Sequence, residues 1–367
     1  MKFFYSLLFC ILAINLNAQE STKPILFEKT VNGMLRFYFD KNYFLCDKNC
    51  EFKAIERVAS FDTKNSRFNG EFRDFAPNGH VILTGNYVDG EKEGVFKAYH
   101  PNKVLKWEVV FKNNFPTGEW KYYYPDAKPM LVVNYTDSIM RIESLWDIKG
   151  REKVKDGKGD FEFTYHFEGF TEFGFPSYRR KGRVVNGVPN GFWTLTLVDG
   201  KFSELGREEY YKNGVLADFG EQYFNFELVN NKLQFFPAEN FNRAEILYFK
   251  NCTFDDFSGF SIYLTEKLNS RFATLLVDAE VADDDFSYVI AVSEKGEPGR
   301  ADFTKAFADE KLNRQLNIAV SRIRYYLPSF KDGEYVKDIL SVSGKLIIKE
   351  DGTPAVHSIS IKRNAEQ

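Results

Sequence analysis

The sequence predicts a mainly β protein, an elongated antiparallel sheet of repeated hairpins followed by a small α+β domain. Three observations predict it. A phrase of glycine, any residue, aromatic and base returns every 24 residues, as Gly70-Glu71-Phe72-Arg73, Gly94-Val95-Phe96-Lys97 and Gly118-Glu119-Trp120-Lys121. The chain carries 38 Phe and 20 Tyr, and such residues favour a pleated surface. Beyond residue 270 the pattern changes to strand runs around one amphipathic helix.

A chain of 367 residues is long enough for two or three domains. Its net charge of −3 is mixed, which excludes the concentrated basic face that nucleic acid requires. Residues 1–18 read as a signal peptide: Lys2 supplies the charge, "FFYSLLFCILAI" the apolar run, and Ala18 the last residue of a small-residue exit. The competing readings are a lipid-acceptor role for Cys10 and an uncleaved anchor, but the run is shorter than the roughly 20 residues a bilayer span needs. No later segment is long and apolar enough to span. The expectation is an exported protein, periplasmic or associated with the outer envelope.

Residues 19–66 form an amino-terminal β segment in which "GMLRFYFDKNYFLCDKNCEF" from Gly33 is a degenerate repeat. Export makes its cysteines worth pairing. Cys46 and Cys50 are placed to close a small loop at a hairpin tip, to supply half of a metal site, or to stay as thiols; no second close pair completes a zinc set. Cys252 reads as a buried apolar residue.

Residues 67–223 carry the hairpin repeats. Each glycine phrase reaches an aromatic and a turn: Phe75-Ala76-Pro77-Asn78-Gly79, Tyr99-His100-Pro101-Asn102-Lys103 and Tyr123-Tyr124-Pro125-Asp126-Ala127. Proline fixes φ there, while Asn, Asp and Gly tolerate a left-handed position. A second β-rich run follows each turn, and aromatic residues alternate with charged ones to give one face of each kind. Looser copies begin at Gly159 and Gly191.

These phrases resemble the MORN-repeat variant found in bacterial exported and antitoxin-like proteins, well over residues 67–140 and loosely over 159–223. Lys103 and Ala127 stand where that pattern has glycine. The resemblance implies successive hairpins with no active site of their own. The aromatic stripe reads first as the core between hairpins; the other reading is a binding face for a glycan or cell-wall polymer, formed by Trp107, Trp120, Tyr122 and Tyr124.

Residues 224–269 read as a connecting or capping segment, with a short helix in "PAENFNRAEILYF" capped near Asn240. In residues 270–367, "FSYVIAVSEKGEPGRADFTKAF" reads as two strands around Lys295-Gly296. A helix follows with Leu312, Leu316, Ala319, Val320 and Ile323 on one face and Asp309 as its cap. It is expected to run to Tyr326, before Leu327-Pro328. Two strands around Asp351-Gly352 complete the unit. This order resembles the carboxy-terminal domain of TonB-like energy transducers, on Lys295-Gly296-Glu297, Leu327-Pro328-Ser329-Phe330, Asp332-Gly333-Glu334-Tyr335-Val336 and Ser341 to Lys349. The resemblance implies that an outer-membrane partner adds a short strand to the sheet edge. A Pro-rich linker is absent.

No catalytic constellation is present. His80, His100, His166 and His357 have no metal-binding spacing, Ser258-Gly259 and Ser343-Gly344 lack the nucleophile elbow, and Gly157 opens no phosphate loop. Asp283-Asp284-Asp285 lacks a spaced calcium loop and reads as a solvated turn. The expectation is a non-enzymatic scaffold or adaptor without cofactor that binds an envelope protein.

Overall fold

The computed structural model describes residues 24–136, 139–166, 175, 177–222, 241–252, 257–273, 275, 283–331 and 333–364. The predicted signal peptide, Cys10 and the cap at Asn240 lie outside the described residues.

From Phe27–Lys29 to Val215–Gln222 the strands form one meander in which each pairs antiparallel with its neighbour in sequence. The 24-residue period sets what this sheet buries. Phe72, Phe96 and Trp120 take equivalent places in successive hairpins, as do Leu83, Trp107 and Leu131, and Tyr87, Phe111 and Tyr135, and all nine are buried. Because side chains alternate between faces, these positions fall on one side of the sheet. Their rings meet across strands, with centroids 5.6 Å apart for Phe72 and Phe96, 5.1 Å for Phe96 and Phe111, 5.2 Å for Phe111 and Trp120, and 4.7 Å for Trp120 and Tyr135. The opposite face carries exposed cross-strand ion pairs such as Lys97 with Glu108.

Two turn geometries close the hairpins. At one end a turn at Ala76 to His80 has the Gly79 amide donating to the Ala76 carbonyl and the Ala76 amide to the His80 carbonyl; the same pair of bonds recurs at His100, Tyr124 and Asp147. The left-handed position of this turn is Gly79, Lys103, Ala127 or Gly150, with φ of +78°, +69°, +65° and +78°. At the other end two-residue turns with both φ positive occur at Asp89-Gly90, Asn113-Asn114, Asp156-Gly157, Asn186-Gly187 and Asn213-Gly214, the twist that suits paired strands. Gly94 and Gly118, which open the repeated phrase, have φ of +82° and +64°, and a Cβ on either would meet nothing within 4 Å. Backbone conformation, not crowding, selects glycine there.

The connecting segment divides between two cores. Its described first part makes a short 3-10 helix, Phe241–Ile246, that packs on the long sheet. Phe241 lies against Phe96, Trp107 and Phe111, with centroids at 5.8, 6.1 and 6.4 Å. Its last part, expected to lie outside the terminal domain, is helix α1, Phe257–Phe272, and Phe260, Leu264, Leu268 and Phe272 enter the second core.

That second core belongs to a four-stranded sheet in the order Pro298–Lys305, Asp284–Val292, Asp338–Ile348, Pro354–Arg363. Helix α2, Glu310–Ser321, packs on it through Leu312, Leu316, Ala319 and Val320. Asp309 caps α2, its carboxylate accepting from the Leu312 amide at 2.7 Å. The helix stops at Ser321, short of the expected Tyr326, because the chain leaves to bond the Lys295-Gly296 turn: the Tyr326 amide donates to the Gly296 carbonyl at 3.0 Å. A small hairpin, Ser329–Lys331 with Glu334–Val336, then reaches back to the long sheet and puts Phe330 into the first core.

Lys103→Gly and Ala127→Gly are each expected to raise stability by about 0.5–1 kcal/mol, since an L side chain is strained in the left-handed region. Urea midpoints of the single variants measure this, and unchanged midpoints would contradict the strain. Phe241→Ala is expected to cost about 3–5 kcal/mol in the same assay.

Candidate functional site

The loop between Leu35–Asp40 and Lys53–Asp62 is where the two cores are joined, and its shape follows from its own polar groups. The Asp40 carboxylate accepts from the amides of Asn42 and Phe44, and Tyr43 turns through φ of +62°. This brings the buried Leu45 alongside residues 248–250: its amide donates to the Tyr248 carbonyl and its carbonyl accepts from the Lys250 amide. Arg243 donates to the Asn42 carbonyl at 2.9 Å and lies over the Phe44 ring. On the other side Lys41 sits over the rings of Phe330 and Tyr335 and donates to the Tyr335 hydroxyl, while Arg363 contacts Glu51 and the Phe52 ring.

Of the readings open for Cys46 and Cys50, a bridge between them is not formed, and Cys252 is a disulfide partner at an exposed position instead of a buried apolar residue. Cys50 is bonded to Cys252, with Cα atoms 5.5 Å apart, because the pairing of Leu45 with residues 248–250 brings Cys252 alongside Cys50. Cys46 is a buried thiol, and burial pushes its pKa up to about 12. Its amide is used by the Tyr38 carbonyl.

Three of the four aromatic residues considered as a binding face, Trp107, Trp120 and Tyr122, are core. Trp107 and Trp120 are fully buried and Tyr122 nearly so; the Trp120 indole donates to the Val110 carbonyl at 3.0 Å. Tyr124 is half-buried, and its hydroxyl donates to the Trp146 carbonyl at 2.8 Å. Rings turned between hairpins are not presented to a glycan.

Two buried ionic clusters could be mistaken for reactive centres. Arg57 is bidentate to Asp74 at 2.7 and 2.9 Å, both side chains fully buried, and Tyr43 donates to the same carboxylate. The Arg57 guanidinium lies 4.2 Å from the Phe72 ring centroid. Glu209 accepts from Arg180 and Arg207. Burial alone would raise the Glu209 pKa, but the two guanidinium groups outweigh it and hold it below the usual glutamate range. Both clusters fasten strands.

Among the described residues no group of three potential ligands could hold a metal. His100 lies 2.9 Å from the Tyr123 carbonyl, and His357 bonds the neighbouring Ser358. Asp284 and Asp285 pair with Lys305, and Asp283 accepts from the Ile348 amide, so this acidic run ties strands together. Among the described residues no helix is long and apolar enough to cross a membrane.

What can bind is an edge. Among the described strands Pro354–Arg363 occupies the outer place in its sheet, pairing with Asp338–Ile348 alone. The Asn364 amide donates to the Ile339 carbonyl, and the register carries this phase to Ser360 and Lys362. In an antiparallel ladder the residues between them turn their amides and carbonyls away from the partner strand. Ile361 therefore presents its amide and carbonyl outward, as Ile359 does its carbonyl in the peptide it shares with Ser360, and no described strand takes them.

A family model for the MORN repeat variant matches residues 92–113, which span the hairpin of Gly94–Tyr99 and Leu105–Lys112. Comparison with curated proteins found no match. MORN repeats are generally non-catalytic.

Non-reducing peptide mapping is expected to recover Cys50 linked to Cys252, with Cys46 alkylated only after denaturation. Cys252→Ser is expected to lose about 2–5 kcal/mol. A depressed glutamate pKa contributes stability that is fully present above the unfolded value and is lost as pH falls through the folded one. Glu209→Gln is accordingly expected to be less stable near pH 7 by about 3–5 kcal/mol. It should also decline less steeply than the parent below the ordinary value of 4.5, read from denaturant midpoints across pH.

Proposed function

We propose that this chain is an exported, non-enzymatic adaptor of the cell envelope. Its hairpin repeats form a platform, and its terminal α+β unit, similar to the TonB carboxy-terminal domain, recruits an outer-membrane protein by strand addition. The observation that carries the reading is the outward-turned backbone of Ile361 and the Ile359 carbonyl, which no described strand pairs. MORN repeats commonly serve as protein or membrane binding modules, which suits an adaptor. Energy transduction is not part of the proposal.

The test uses Ile361→Pro. Proline removes an outward donor without touching the bonds that Ser360 and Lys362 make to the inner strand, and edge positions tolerate it. A photo-crosslinking residue placed at the exposed Lys362 in the full chain, expressed in its native envelope, should yield an adduct that is at least tenfold weaker in Ile361→Pro. Equal adducts from both forms would overturn strand addition.

A further inference from the structure

The edge is not open along its whole length. Asn269, in the last turns of α1, reaches the strand at Val356 with both ends of its side-chain amide. Its Nδ2 donates to the Val356 carbonyl at 3.0 Å, and its Oδ1 accepts from the Val356 amide at 2.6 Å. One side chain thus makes the two bonds that a residue of an added strand would make at that place. Two residues later Ser358 has φ of +55°, and the pairing register slips between Ser343 and Lys345, as in a bulge that bends a strand. Beyond the bend lie Ile359 and Ile361, and then Arg363, whose guanidinium is held by the Phe330 carbonyl and Glu51.

We infer that Asn269 is a positioning residue that closes the first half of the edge, so that a docked strand pairs only over Ile359 to Arg363 and takes its register from that stop. This rests on the strand-addition reading and deepens it. The partner segment that fits is short and extended: about five residues cover the span from Ser358 to Arg363 at 3.3 Å per residue. It carries apolar residues on the side that meets Ile359 and Ile361, both of which lean on the second core. A longer strand must first displace Asn269, which would leave both Val356 groups to be satisfied by the newcomer. Helix α1 is then coupled to occupancy of the edge, because Phe260, Leu264, Leu268 and Phe272 anchor the same helix in the core.

The probe is a pool of random twelve-residue peptides displayed on phage and selected on the full chain, with bound peptides synthesised and their footprint read by amide hydrogen exchange. In the unsubstituted protein the footprint should cover the Ile361 amide and leave the Val356 amide, already protected, unchanged. Asn269→Ala should raise Val356 exchange at least tenfold without peptide and extend the peptide footprint to Val356. Asn269→Asp, which keeps an acceptor for the Val356 amide but loses the donor to its carbonyl, should leave that amide protected and so reports on the contact even where the alanine variant folds poorly. A footprint that stops at Ile361 in Asn269→Ala would overturn the stop while leaving strand addition intact. Selected peptides that do not protect Ile361, or that bind Ile361→Pro undiminished, would overturn the underlying reading instead.

Discussion

A single sheet with one aromatic face must find a cover, and the contact on which the rest depends is that of Phe241 with the ring ladder. Phe96, Trp107 and Phe111 come from the two strands of one hairpin, Gly94–Tyr99 with Leu105–Lys112, and Phe241 touches all three. Burying a phenyl side chain contributes about 1.5–3 kcal/mol. Here the same burial also withdraws neighbouring rings from water. Glu245, one turn along, accepts from Tyr87 and Lys92, so the segment is held by charge at one side and by rings at the other. The hairpins thus depend on a part of the chain that does not share their pattern.

Where local chemistry dictated structure, the sequence was readable. The 24-residue return put Phe72, Phe96 and Trp120 on one face, because alternation along a strand leaves no other register that buries all three. Asp309 was legible as a cap, and Pro77-Asn78, Pro101-Asn102 and Pro125-Asp126 as turns, since each acts within a few residues of itself. The Cys50–Cys252 bridge was not legible: 202 residues separate the partners, and only the pairing of Leu45 with residues 248–250 makes them neighbours. Helix α1 has a signal in Phe260, Tyr263, Leu264 and Leu268 at helical spacing, but it follows a run of strand-like aromatics. The edge itself was expected from a resemblance; Asn269, which decides how much of it is open, has no pattern to announce it.

The buried ionic clusters show the same division. Arg57 and Asp74 lie on neighbouring strands and directly face each other in the register, so their pairing follows from strand order once the sheet is known. Removing either partner alone would strand the other charge away from water, which is why such pairs act more as registry pins than as stabilising contacts. Glu209 between Arg180 and Arg207 fastens the looser hairpins in this way, where the aromatic period is weaker.

The bridge between Cys50 and Cys252 also changes the mechanics of the chain. It encloses every strand from Lys53–Asp62 to Val215–Gln222 in one covalent loop. Tension applied between the amino-terminal strands and the terminal domain would run through Leu35–Asp40, across the sulfur atoms and directly into residue 252. The hairpins inside the loop would carry none of it. A partner pulling on the edge at Ile361 would load the terminal sheet, α1 and the junction, while the platform stayed slack and kept its shape.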